Sequence, residues 1–209
     1  MHNLPLRNGK GSVYEGGVRV PLMVKWKGKV APATRVNTPV ICEDLFPTIL
    51  QMAGVKNYDV VQEVDGKSLV NLVTKGSKLA AKATKRGDIA DQKAANAFVV
   101  PESVSGIDPN RALIFHYPHQ WKPYDLEDID FLSAVRKGDW KLVYRMRTGK
   151  LELYNLKSDI GEQSDLSSVY PERVKELAAE LSSKLRGWNS PMPRLREKGT
   201  SVPLPDELL

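Results

Sequence analysis

Few side chains in this chain are placed to do chemistry. Lys10 stands between Gly9 and Gly11, which puts an ammonium group on a loop whose flanking residues lack a Cβ and let the backbone approach a ligand closely. Such a loop suits an anion, although the same tripeptide also serves as an ordinary flexible turn. His116 and His119, in Phe115-His116-Tyr117-Pro118-His119, fall at the end of a predicted strand, where loops often line a cleft. Either imidazole would serve as an acid or hydrogen-bond donor toward a substrate, or else be a satisfied structural histidine. Cys42 is the single cysteine, which rules out an internal disulfide and a cysteine-rich metal site, and it is expected as a small apolar core residue. Glu15 and Arg19 fit a turn-stabilising salt bridge better than substrate contacts. Asp44 is expected to cap a helix before it acts as a ligand.

The elements that must position these groups read from the pattern along the chain. Residues 19–26 alternate, with Leu22, Val24 and Trp26 on one face, which predicts a strand beginning at Pro21 and turned by Lys27-Gly28-Lys29. Asp44 then precedes a helix over Leu45–Ala53 that tolerates Pro47 in its first turn and stops at Gly54. Ser68 is expected to cap a short helix over Leu69–Val73. From Thr74 to Asn110 the composition shifts to Lys, Ala, Ser, Asp and Gly, the mark of a basic surface insertion or partly mobile helix-loop. Beyond it the pattern is antiparallel. Strands are predicted at Ala112–Tyr117, Leu132–Arg136, Trp140–Met146 and Leu151–Leu156, with a tight turn at Gly138-Asp139. A helix opening at Pro171-Glu172 carries Val174, Leu177, Ala178, Leu181 and Leu185 on one stripe, ends at Gly187, and is the natural cover for one face of that sheet. The tail from Asn189, with four prolines, should pack extended on the surface or be disordered.

At 209 residues and 41% hydrophobic content the chain can bury a sizeable core. No run approaches the roughly 18 to 20 apolar residues needed to cross a bilayer, and the first residues lack a signal-peptide pattern. The chain therefore reads as soluble and without an export address. The formal charge of +6 sits in residues 1–35, which hold seven basic side chains against Glu15. A basic surface attracts anions of several kinds, including nucleic acid, anionic lipid and sulfated polysaccharide, or is merely a solvated Lys-rich face. No helix-turn-helix, zinc-finger or RNA-binding signature is present, so neither nucleic acid nor membrane is expected as a partner.

The stretch Leu6–Pro21, Leu-Arg-Asn-Gly-Lys-Gly-Ser-Val-Tyr-Glu-Gly-Gly-Val-Arg-Val-Pro, resembles the start of the C-terminal part of a type I, formylglycine-dependent sulfatase of the alkaline phosphatase superfamily. The likeness continues in order through Asp44-Leu45-Phe46-Pro47-Thr48, Ala53-Gly54 and Asp65-Gly66-Lys67-Ser68-Leu69. It resumes at Arg136-Lys137-Gly138-Asp139-Trp140-Lys141-Leu142, Glu152-Leu153-Tyr154-Asn155-Leu156 and an acidic turn with Asp159, Glu162 and Asp165-Leu166. It is poorest over 74–110. Lys27 stands where the family often has the proline of Trp-Pro-Gly.

The resemblance implies an α/β fold class: residues 1–73 as the last strands and helices of the large sulfatase domain, 74–110 as the basic insertion, 111–188 as a small α+β subdomain and 189–209 as a tail. It also implies a catalytic, sulfate-contacting role for Lys10, with His116 and His119 as candidate substrate-binding residues. The intact enzyme would use calcium and a formylglycine nucleophile on a sulfated small molecule or polysaccharide. By family analogy its compartment would be periplasmic, secreted or lysosome-like. No Cys/Ser-x-Pro/Ala-x-Arg motif and no Asp-Asp metal pair occurs in these residues. The chain is thus expected to partner an N-terminal catalytic half and to be inactive alone. The rival expectations are a sulfated-polysaccharide-binding module and part of a related phosphoesterase or phosphonate hydrolase.

Overall fold

The computed structural model describes residues 3–32, 34–85, 107–121, 128–197 and 199–209. They form two compact units, one of residues 1–21 with 112–209 and the other of residues 22–111.

The first unit is built on an antiparallel sheet in sequential order, β1 (Leu113–Tyr117), β2 (Leu132–Lys137), β3 (Trp140–Arg145) and β4 (Lys150–Asn155). The tight turn predicted at Gly138-Asp139 joins β2 and β3, with Lys137 opposite Trp140. Gly138 takes φ 59°, the left-handed conformation that two-residue hairpins require. Alternation sends Val135, Leu142, Tyr144 and Leu153 to one face. There they meet Val174, Leu177, Ala178, Leu181 and Leu185 of the long helix Pro171–Gly187. Each such fully buried Leu contributes about 1.5–3 kcal/mol of transfer free energy.

That helix opens with Pro171, which suits a first turn, and with Glu172, while Lys184 and Arg186 lie in its last turn; the three charges match the helix dipole. It ends at Gly187, as expected. Asn189, two residues on, takes the left-handed conformation at φ 49°, and the amide of Ser190 donates to Leu185 O at 2.9 Å, closing a Schellman motif.

The opposite sheet face is also covered. Val13 and Tyr14 pack on Leu132, Ala134, Val143, Tyr154 and Leu156, so the N-terminal segment belongs with the C-terminal sheet, whereas the sequence grouped residues 1–73 together. Such a grouping follows the order of the chain, but burial is decided by which apolar faces meet. The tail is ordered rather than loose. Val202 is buried in the core, the Tyr144 hydroxyl donates to Pro203 O at 2.7 Å, and a 3-10 turn, Pro205–Leu208, brings Asp206 to Arg186.

In the second unit, α2 (Leu45–Met52) follows the very short α1 (Glu15–Val18) of the first. It stops as expected at Gly54, φ 79°, with Val55 N donating to Leu50 O at 3.0 Å. Asp44 does not cap α2. Its carboxylate accepts the backbone N–H groups of Ile41 (3.0 Å) and Lys67 (2.8 Å) and pairs with both Nη atoms of Arg111, so it ties three segments together from a fully buried position. Burial alone would disfavour its charge, but Arg111 and the two amides outweigh that and hold the carboxyl below the usual carboxylate range.

Ser68 Oγ accepts from Val70 N at 3.3 Å, as a capping residue does. The helix behind it, α3 (Val70–Lys85), runs past Val73, as Lys-, Leu- and Ala-rich sequence favours helix. The remainder of the predicted insertion, residues 86–106, lies outside the described residues. Two expectations fail here. Cys42 is exposed, its thiol beside Glu43 and pushed up by burial of the sulfur and by that carboxylate. Residues 19–26 form no strand, since no neighbouring chain pairs with them among the described residues. With α3 named, the long helix Pro171–Gly187 is α4.

Candidate functional site

Lys10 sits at the apex of a four-residue turn. Ser12 N donates to Gly9 O at 3.1 Å, and Gly11 takes φ 91°, the conformation that the third position of a type II turn demands. The Lys10 side chain is exposed, and its ammonium lies 5.9 Å from the centroid of the Trp121 ring. A Cβ on Gly11 would run into that ring. The second glycine of Gly-Lys-Gly thus has two physical reasons, a positive φ and the close approach of an indole.

The turn is fastened from both sides. Upstream, Asn8 Nδ2 and Ser12 Oγ both donate to the backbone carbonyl of Asp128, at 3.2 and 2.6 Å. The Asp128 carboxylate is gripped by Arg7, at 3.0 Å, and by Arg145. Burial opposes its ionisation, but these two guanidinium groups hold it well below the ordinary range. Arg7 also donates to Tyr154 Oη at 2.8 Å and to Glu162 O at 3.1 Å, and stacks 3.9 Å from the centroid of Tyr14. Tyr14 in turn donates to Glu152 Oε2 at 2.5 Å, and burial together with that carboxylate pushes its hydroxyl far above the usual value. A cleft of about 430 Å³ lined by Arg7, Asp128, Arg145, Thr148, Lys150 and Glu152 opens over this network. Lys10 is not among its walls.

Downstream, α1 packs its glycines directly on the turn. A Cβ on Gly16 would strike the carbonyls of Arg7 and Asn8, and one on Gly17 those of Ser12 and Gly9, so the Glu-Gly-Gly sequence reflects backbone laid on backbone. Glu15, one residue earlier, is buried and accepts from Lys141 Nζ at 3.0 Å, while Lys141 also pairs with Glu162 at 2.9 Å. Arg19 and Arg136 approach the other Glu15 oxygen at 3.5 and 3.6 Å. The salt bridge expected between Glu15 and Arg19 is present, but it is the outer edge of a buried ion cluster that anchors the block to β3.

The histidines are placed differently from one another. His116 Nε2 lies 2.9 Å from Pro191 O and Nδ1 2.6 Å from Ser133 Oγ, its partner across the β1–β2 ladder. A proton on Nε2, with Nδ1 accepting from the serine, satisfies both contacts; burial, and then the nearby His119, lower its pKa. Both ring nitrogens are therefore engaged within the protein. His119 is exposed on the loop leaving β1 and stacks on Tyr117 at 4.0 Å between ring centroids. The same loop carries Trp121, whose backbone N–H donates to the buried Asp130 at 2.8 Å. The fold thus brings the β1 exit loop to the Lys10 turn through Trp121, a residue that sequence reasoning missed. Asp128 and Arg7 were missed too. Arg7 lies inside the Leu6–Pro21 block, but its partner is 121 residues away with no local pattern to mark it.

Among the described residues no group of three or more His, Cys, Asp or Glu side chains is arranged to hold a metal ion, and Cys42 lacks the context of a formylglycine precursor. What these residues can supply is an exposed, rigidly mounted ammonium with an aromatic wall beside it.

Residues 8–88 match the family described as N-sulphoglucosamine sulphohydrolase, C-terminal. The chain is 32% identical over 213 residues to a sulfatase of Formosa agariphila, covering 98% of this chain and 34% of that protein. It is 24% identical to arylsulfatase K of Xenopus laevis, covering 83% and 27% respectively. The structure of Ps i-CgsB in complex with k-i-k-neocarrahexaose shares the fold, with a TM-score of 0.55 at 24% identity over 90% of this chain and 32% of that one. The chain spans about a third or less of the length of these curated relatives. From the ordered motifs, the relatives and the shared fold together, this chain corresponds to the C-terminal part of a sulfatase.

Proposed function

We propose that this chain serves the hydrolysis of a sulfate ester carried on a saccharide, and that Lys10 holds the sulfate. The observation that carries the reading is the mounting of Lys10. Its ammonium is exposed, yet its backbone is fixed by Gly11, by the Asp128 carbonyl and by α1, so the charge is preorganised and needs little rearrangement when an anion arrives. Fixed positive charge aimed at the oxygens of a group that gains negative charge is the largest single contribution in such reactions. His119, exposed beyond β1, is the histidine of the pair free to donate a hydrogen bond to the substrate, while His116 braces β1 against Ser133 and Pro191. The choice of a saccharide draws on the oligosaccharide bound by Ps i-CgsB. The nucleophile and the metal would come from outside these residues, and the chain alone is inactive.

The test is Lys10→Ala in the complete sulfatase polypeptide, assayed for sulfate release from a sulfated oligosaccharide. Loss of one such charged donor lowers kcat by about 10²–10³, and Lys10→Arg should recover part of it. A Lys10→Ala enzyme working within two-fold of the parent would end the assignment.

A further inference from the structure

Trp121 keeps 41% of its surface exposed, although tryptophan is highly buried on average in folded chains. It is nonetheless held in place. Its backbone N–H donates to the buried Asp130 at 2.8 Å, and two residues earlier His119 O accepts from Phe131 N at 3.4 Å. The start of the β1 exit loop is thereby tied to the residues that lead into β2. Phe131 takes φ 57° there, a left-handed conformation that is costly for a bulky side chain, and strain of this kind gathers at binding sites.

The indole itself is seated on the Lys10 turn. Its Cε3–Cζ3 edge occupies the space that a Gly11 Cβ would need, with Ile129 Cγ2 3.4 Å from the same point. The Lys10 ammonium lies over the ring, 5.9 Å from its centroid. A rigid apolar face and a cation are thus mounted on one short turn. A bare sulfate ion would use the ammonium and leave the indole idle. A ligand that uses both needs a C–H face to stack and an anionic group at its rim, which is the description of a sulfated pyranose. Tryptophan supplies such contact area at low conformational cost.

We propose that Trp121 is the stacking subsite for the sugar ring that carries the sulfate, and so the residue by which this site prefers a sulfated saccharide to a sulfate ester without a ring. With the pyranose against the indole, the ester at its rim comes within reach of the ammonium over the same ring. The choice of ligand rests on the reading of Lys10 as the group that holds the sulfate.

The experiment uses the complete sulfatase polypeptide carrying Trp121→Leu, which keeps apolar bulk against Gly11 but has no flat face, and Trp121→Phe, which keeps one. With a sulfated disaccharide as substrate, Trp121→Leu should raise KM at least ten-fold and leave kcat within three-fold of the parent, the mark of binding energy shared by ground and transition states. Trp121→Phe should recover most of the loss. With methyl sulfate, which has no ring to stack, both constants should stay within two-fold. The same disaccharide without its sulfate, tested as a competitive inhibitor, separates this subsite from the role of Lys10. Its inhibition constant should rise at least ten-fold in Trp121→Leu and stay unchanged in Lys10→Ala. An unchanged inhibition constant or saccharide KM in Trp121→Leu overturns the subsite whatever Lys10 does. So does an equal loss on methyl sulfate and on the saccharide, which would make Trp121 only a prop for the Lys10 turn. Full turnover by Lys10→Ala would instead remove the sulfate assignment and leave the inhibitor result to stand for the subsite.

Discussion

Replacing Lys141 with methionine tests how the Tyr14-Glu15-Gly16 block is anchored. Lys141, Glu15 and Glu162 are all essentially inaccessible to solvent, and the ammonium lies 3.0 and 2.9 Å from the two carboxylates. Methionine keeps most of the stem volume, so packing changes little, but the charge is lost. Glu15 would retain Arg19 and Arg136 at 3.5 and 3.6 Å. Glu162 would keep only the Glu15 N–H, at 2.6 Å. The penalty therefore falls mainly on Glu162. Stranding one buried charge costs about 3–5 kcal/mol, and with a urea slope of about 2 kcal/mol/M the unfolding midpoint of this unit should fall by about 2 M.

Adding Glu162→Gln removes the stranded charge and should restore about half of the loss. The pH dependence has a definite sign. Burial holds the Glu162 carboxyl above its ordinary value of 4.5, with Lys141 pulling the other way. The folded state thus binds this proton more tightly than the unfolded chain, and stability falls as pH rises from 4.5 through the folded pKa. Without Lys141 the carboxyl is held higher still, so the deficit at pH 7 should shrink on lowering the pH toward about 5. Urea unfolding followed by circular dichroism measures all three. A deficit below about 1 kcal/mol, the scale of an exposed pair, or a double variant no more stable than the single one, would refute the reasoning.

Asp44 behaves oppositely, because Arg111 and two amides depress its pKa despite burial. Its contribution is present above its ordinary value of 3.8 and is lost as pH falls through the folded pKa. Asp44→Asn should therefore speed hydrogen exchange in α2 and at the start of α3 at pH 7 and flatten the acid limb below pH about 4. Gly11→Ala should cost about 1–2 kcal/mol from its positive φ and shift the near-ultraviolet signal of Trp121, whose ring the new methyl meets. Gly28→Ala, also at positive φ but facing open space, should lower the melting temperature without that spectral change. Equal spectra for the two variants would remove the assigned contact.

Much of the fold is legible from residues 112–209. β2, β3 and their Gly-Asp turn, and the stripe of Val174, Leu177, Leu181 and Leu185, are periodic signals set by neighbours two to four residues apart. The same logic fails at residues 19–26, where the period is right but no partner strand lies alongside among the described residues. It fails at Cys42 as well, since a residue type reports average burial and not the side of a short 3-10 turn on which it falls.

The candidate site divides along the same line. The residue types and order of Gly9-Lys10-Gly11 and Tyr14-Glu15-Gly16-Gly17 determine by themselves that a lysine sits on a tight turn and that the chain resembles a sulfatase, because glycine and turn preferences act within a few residues. Only the tertiary structure decided that the Asp128 carbonyl holds the turn while Arg7 grips the Asp128 carboxylate, that Lys141 is buried between Glu15 and Glu162, and that Trp121 walls the ammonium. Those pairs are separated by more than 100 residues in several cases. Their energy comes from desolvation and charge pairing that exist only once both sheet faces have been covered.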